Sequence, residues 1–178
     1  VSPYSVTASP TDWGLIPVVL ALGACAAALA IVFMRSLLRT AAWAKARNND
    51  LAMLLLAATL MALIGMLVPE AVGLGTQSVN DLLAGEKLVG EAALMLVAKL
   101  AATVVCIGLG LVGGVFSPAL FLGASLGYLV GFVAAGLGFD PSAGVMLTVV
   151  GMAAVAGSVI GAPIGVVLIV FEFTRSYE

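Results

Sequence analysis

The chain has no histidine, two cysteines among 178 residues, and charged side chains at 9% of positions. Each shortage excludes something. Without histidine, the commonest zinc ligand and the usual acid–base group near neutral pH are both missing. No metal ion and no cofactor is expected. Cys25 and Cys106 are far apart, and each sits inside an apolar stretch. They read as small buried hydrophobes, with a disulfide or redox pair as the alternative. No nucleophile–base pair stands out, so an enzyme is not expected. Seven basic against nine acidic residues give a net charge of −2, whereas a nucleic-acid partner calls for clustered Lys and Arg. The start, residues 1–12, is polar and lacks the basic region of a signal peptide.

What is abundant is apolar. Hydrophobic residues make up 63% of the chain, against roughly 45–50% in an ordinary soluble domain. There is too little polar surface to keep such a chain in water. The expected class is an all-α integral membrane protein, crossing its bilayer several times, in the plasma (inner) membrane.

The uncharged runs carry the organisation. Residues 1–12 read as a loop. Trp13 to Met34 spans 22 residues, about 33 Å at ~1.5 Å per residue, enough to cross a hydrocarbon core. Leu51 to Pro69 is a second run. Between them lie Arg35, Arg39, Lys45 and Arg47, four of the seven basic residues. A basic loop over 35–47 is expected on the cytoplasmic side, because short cytoplasmic loops carry excess Lys and Arg. A helix end whose Arg side chains snorkel to the same interface is the alternative. A short helix is expected around Val79–Ala84, too short to span. Ala92 to Phe139 is apolar except for Lys99 and too long for one helix. Gly108, Gly110, Gly113, Gly114 and Pro118 divide it, so one helix should end near Ile107 and another begin near Ser117 or Pro118. Asp140-Pro141-Ser142 reads as a turn. Pro163, with Gly157 and Gly161 just before, divides the last run into a helix ending near Ser158 and another over Pro163–Thr174. The total is seven or eight helical pieces. The chain starts at Val1 and stops at Glu178 after an apolar run, so it is expected to be part of a longer protein.

Gly123, Gly127 and Gly131 recur every four residues and share a helix face. That spacing lets two membrane helices approach closely; a pore-lining face is the alternative. Gly157, Gly161 and Gly165 repeat it, interrupted by Pro163. Lys99 is an intramembrane charge that could attract anions, snorkel, or pair with Glu91 about two turns earlier. Glu172 reads as an interface residue or salt-bridge partner, with a proton-path role as the alternative, and Glu70 as part of a wet loop.

The stretch that carries chemistry is Gly113-Gly114-Val115-Phe116-Ser117-Pro118. Irregular backbone at membrane depth is tolerated only where protein buries it or it lines a watery cavity. Ser117 reads as an N-cap and Pro118 as the first helical residue. The helix behind them would present free N–H groups and the positive end of its dipole, with the amides of Val115 and Phe116 just ahead. That suits an anion held weakly enough to be released, without a basic side chain. A Pro-kinked helix packed by glycines is the other reading of the same residues.

Gly114-Val115-Phe116-Ser117-Pro118 resembles the G-x-F-x-P motif of the CLC chloride channels and chloride/proton antiporters. Pro69 with the loop Gly73 to Gly75, then Gly151-Met152-Ala153-Ala154 with Gly161-Ala162-Pro163-Ile164, and Val170-Phe171-Glu172-Phe173-Thr174 resemble further family stretches in the same order. The resemblance covers about Trp13 to Glu178. It implies an inverted-repeat bundle of tilted, broken helices, of which 13–178 would be the second half without its final helices. It implies transport of chloride across a membrane, a homodimer with the Pro163–Thr174 helix near the subunit interface, and a missing N-terminal half as partner. By the same resemblance, the backbone amides of Val115 and Phe116 contact chloride, and Gly113, Gly114, Ser117 and Pro118 shape the site. The family's G-S-G-I-P motif and its gating-glutamate motif do not occur here, so channel and antiporter both stay open. A structural membrane subunit and a small-organic-anion transporter are the competing classes.

Overall fold

A computed structural model describes residues 14–85, 87–140 and 143–175. The expected loop over 1–12, Trp13, and Pro141 and Ser142 of the expected turn lie outside the described residues. Among the described residues seven α-helices follow one another: α1 (Leu15–Ala46), α2 (Asp50–Leu67), α3 (Thr76–Ala84), α4 (Val89–Gly108), α5 (Phe116–Gly136), α6 (Ala143–Ile160) and α7 (Pro163–Arg175). A single 3₁₀ turn, Pro69–Ala71, separates α2 from α3. Among the described residues there is no strand. Five helices, α1, α2, α4, α5 and α6, are long and apolar enough to cross a membrane. The protein is an all-α integral membrane protein.

The basic segment is not a loop. Arg35, Arg39 and Lys45 lie on the last turns of α1, and only residues 47–49 separate α1 from α2. The physical reason is propensity. The stretch is rich in Ala, Leu and Arg, all good helix formers, and holds no Pro or Gly to stop it. At 32 residues, α1 is about 48 Å long, well beyond a ~30 Å hydrocarbon core. That length leaves room for its basic end to lie beyond the core, as the helix-end reading requires. Arg47 stacks over the Trp43 ring, 4.7 Å from its centroid. Asn49 then starts α2 by accepting a hydrogen bond from the Ala52 amide at 3.2 Å.

The core sits between α5 and α6. The glycine stripe on α5 meets α6 backbone directly. A methyl group at Gly127 would stand 2.7 Å from Thr148 Cα, one at Gly123 2.6 Å from Met152 Cα, and one at Gly131 3.0 Å from Gly144 Cα. The stripe is a packing face. In the second stripe only Gly157 packs closely, with its added methyl 3.3 Å from Pro163 Cα, while Gly165 faces open space. Around this pair, Ala26 and Phe33 of α1 join Leu122 of α5 and Val155 of α6. On the other side, Leu82, Ala92 and Val166 bring α3, α4 and α7 onto Ala119, Ala124 and Ala156.

Both cysteines are free, and Cys25 is exposed on α1 rather than buried, while Cys106 is half-buried. The expectation of burial assumed water outside. For a membrane helix the surroundings are themselves apolar, so an apolar residue gains nothing by turning inward.

Candidate anion site

Between α4 and α5 the backbone is irregular over 111–115. The Leu111 amide folds back onto the Cys106 carbonyl at 2.9 Å, closing the end of α4. Val112, Gly113 and Gly114 are exposed. The chain then enters α5 through Val115, whose φ of −89° and ψ of −15° are already helical.

This places the helix start one residue before the predicted cap. Ser117 is not the N-cap, and Pro118 is not the first helical residue. Because Val115 enters in a helical conformation, no side chain caps the end. The Ser117 hydroxyl instead donates to the Leu74 carbonyl at 3.0 Å, linking α5 to the turn before α3. Pro118, third in the helix, has no N–H to give. The first backbone bond of α5 therefore runs from the Ala119 amide to the Val115 carbonyl, at 3.0 Å. Among the described residues, nothing accepts from the amides of Val115, Phe116 or Ser117. Three consecutive donors stand at the positive end of a 21-residue helix.

The backbone here is held from two sides. Val115 packs against the cluster of Ala26, Phe33, Leu122 and Val155. Phe116 packs against the cluster of Leu82, Ala119 and Met152. Adjacent side chains thus anchor in separate parts of the core, which fixes the peptide between them. The sequence pointed to the Val115 and Phe116 amides and missed that of Ser117. The signal was Pro118, which fits the first helical turn at more than its first position.

Lys99 is 2% exposed in the middle of α4. It neither snorkels nor pairs with Glu91. Its Nζ donates to the carbonyls of Ala71, at 3.1 Å, and Gly73, and lies 5.3 Å from the centroid of the Phe121 ring. The Glu91 carboxylate instead accepts from the Leu88 amide at 3.3 Å, at the start of α4. Gly75 closes the same turn with φ of +73°. A methyl group there would be strained and would strike Phe121 Cδ2 at 2.6 Å.

Away from this centre, Lys87 pairs with Glu70 at 3.1 Å and approaches Asp81 at 3.7 Å. The Tyr128 hydroxyl donates to the Lys87 carbonyl. Glu70 is exposed, as expected of a wet loop, and Glu172 is exposed on α7. The hydrogen bond to Glu70 holds the Lys87 ammonium above the ordinary lysine pKa.

The comparisons with known proteins point to one family. A family model described as voltage gated chloride channel matches residues 2–178. The chain is 39% identical over 139 residues to a putative chloride channel protein, ClcB-like, of Ralstonia nicotianae, covering 77% of this chain and 32% of that protein. It is 34% identical over 119 residues to the H(+)/Cl(−) exchange transporter ClcA of Vibrio vulnificus, covering 66% of this chain and 26% of that one. The ClcA of Vibrio cholerae is 32% identical over 139 residues, covering 74% of this chain and 29% of its own length. The chain thus spans a third or less of the curated relatives it matches. A match that runs almost from end to end, over a helical bundle with free amides at the G-x-F-x-P position, means that the chain belongs to the voltage gated chloride channel family.

Proposed function

We propose that the whole protein containing this chain carries chloride across the plasma (inner) membrane as a transporter rather than an enzyme. In this reading the amides of Val115 and Phe116 contact the ion, and the Ser117 amide adds a third donor. Gly113 and Gly114 leave room for close approach, Ser117 ties the turn to Leu74, and Pro118 withholds a competing N–H. The observation that carries the reading is the run of three unpaired amides at the start of α5, clamped on both sides by the core. Such dipolar contacts are worth about 0.3–1 kcal/mol each when exposed and up to ~2 when partly buried, a range that permits release. The basic end of α1 then faces the cytoplasm, by the positive-inside bias. The whole protein is a homodimer, with the family's N-terminal half completing each anion path.

The test removes one donor, and the same change weakens the Val115 carbonyl as the acceptor of the Ala119 amide. Phe116 is replaced by its α-hydroxy analogue, which turns the 115–116 amide into an ester, and the whole protein is reconstituted in chloride-loaded liposomes. Chloride efflux and proton movement are followed together. Phe116 is half-buried, so its contact falls near the ~2 kcal/mol end of that dipolar range, and chloride affinity should fall roughly tenfold or more. Phe116→Leu, which keeps the amide, should stay within about threefold. Coupled proton movement makes the protein an exchanger, and its absence a channel. A folded protein that moves no small inorganic anion sinks the reading in favour of a structural subunit or an organic-anion carrier.

A further inference from the structure

Lys99 is a buried ammonium whose hydrogen bonds both go to one turn distant in the chain. An ammonium has three donors. Two go to the carbonyls of Ala71 and Gly73, and the charge also faces the ring of Phe121 within cation–π range. The same turn is gripped from the other side by α5. Ser117 donates to Leu74, and the Phe121 ring lies over Gly75. Ser117 and Phe121 are four residues apart, so they share a face of the first two turns of α5. The 71–75 turn is therefore strapped to the start of α5 by two links, and Lys99 ties that strap to α4.

We infer that Lys99 is a positioning residue for the anion site. By holding the 71–75 turn against α5, it fixes the first turn of that helix and so the aim of the Val115, Phe116 and Ser117 amides. The inference rests on the reading of those amides as the anion contact. Lys99 is not itself a ligand, since it is buried, two of its donors are held by the turn and its charge faces the Phe121 ring. A lysine that only filled space would be replaceable by any side chain of similar length.

The experiment uses the whole protein with Lys99→Met, Lys99→Arg, Ser117→Ala and, as a buried control on the same helix, Thr103→Val. Chloride binding is read by titration calorimetry. Hydrogen–deuterium exchange is read at 71–75 and over 119–123, the first hydrogen-bonded amides of α5, with the thermal midpoint as a check on folding. Lys99→Met should weaken chloride binding roughly fivefold or more and speed exchange in both segments. Lys99→Arg should recover most of the loss, because it keeps a charged donor. Thr103→Val should match the parent. Unchanged affinity in a folded Lys99→Met protein, or faster exchange confined to 71–75, would overturn the positioning role. If the parent binds no chloride, the amide reading fails on its own, and joint loosening of the two segments still decides the strap. If Lys99→Met does not fold, Ser117→Ala cuts the opposite link and must loosen both segments; loosening neither overturns the proposal.

Discussion

Helices α2 and α5 are both apolar and both long enough to span, yet they are placed differently. In α2 only 6% of the spanning window is buried inside the chain, and in α5 half of it is. Apolarity does not separate them. Glycine does. Helix α5 carries Gly123, Gly127 and Gly131 on the face that meets α6, whereas α2 has one glycine, Gly65, near its end. In water an apolar face must hide. In a bilayer the lipid tails are as apolar as leucine, so helices pair where their backbones can come close and gain dispersion contacts. The smallest side chains mark the core, and the large apolar ones are spread over core and surface alike.

The strongest way to break that contrast is a bulky residue in the stripe. Gly127→Leu drives a side chain into the α6 backbone at Leu147 and Thr148. Backbone cannot yield as a side-chain tip can, so the cost should reach or exceed the ~1–3 kcal/mol typical of overpacking. Most of the protein should be lost from the monodisperse peak on size exclusion in detergent. Gly23→Leu in α1 meets nothing within 4 Å and should leave the thermal midpoint within a few degrees. Equal damage from the two would show that the stripe is not what joins α5 to α6.

A gentler version compares two leucines. Leu122 on α5 is fully buried, among Phe33 and Val155. Leu55 on α2 is 61% exposed. Leu122→Ala opens a cavity and should cost toward the lower end of the ~2–5 kcal/mol known for buried leucines, because transfer from water contributes little in a bilayer. Leu55→Ala should cost under about 0.5 kcal/mol, the usual bound for surface sites. Denaturation in mixed micelles would measure both. A large loss at Leu55 would mean that another part of the whole protein covers α2.

The same contrast explains what was legible in the sequence. The helix count, the breaks near Ile107 and Pro163, and the packing role of the α5 glycines follow from local rules of length, proline and spacing. The 35–47 segment did not, because charge marks an interface but says nothing of whether the backbone there is helix or loop. Cys25 did not, because burial rules written for water fail in lipid. At the site, the two amides ahead of Pro118 were readable from glycine and proline chemistry, and the motif resemblance pointed to the same pair. The Ser117 bond to Leu74 and the Lys99 bonds to Ala71 and Gly73 join residues 26 to 43 positions apart. No periodicity encodes such pairs. The sequence offered Lys99 a partner on its own helix, Glu91, and the fold supplied carbonyls from a turn between α2 and α3.

The smallest expected effect lies at the wet edge of the molecule, where Lys87 bridges Glu70 and Asp81. Glu70 is nearly half exposed, so water screens the pair and its worth is about 0.2–1 kcal/mol. The sign with pH follows from the direction of the shift. The Lys87 pKa is higher in the folded protein, first because Glu70 accepts its hydrogen bond and then through the nearby carboxylates, against a loss from burial. A raised lysine pKa stabilises fully below the unfolded value, and that contribution fades as pH climbs through the folded one. Thermal midpoints should therefore show no contribution from this pair to any change between pH 7 and 9. Above the ordinary lysine range the parent should lose a fraction of a kcal/mol. Glu70→Gln should start lower by that fraction at pH 7 and lose less in alkali, with Asp81 keeping part of the shift. A variant whose alkaline loss equals the parent's would mean that the Glu70 bridge adds nothing to stability, and that the wet edge is held by the Tyr128 bond to the Lys87 carbonyl.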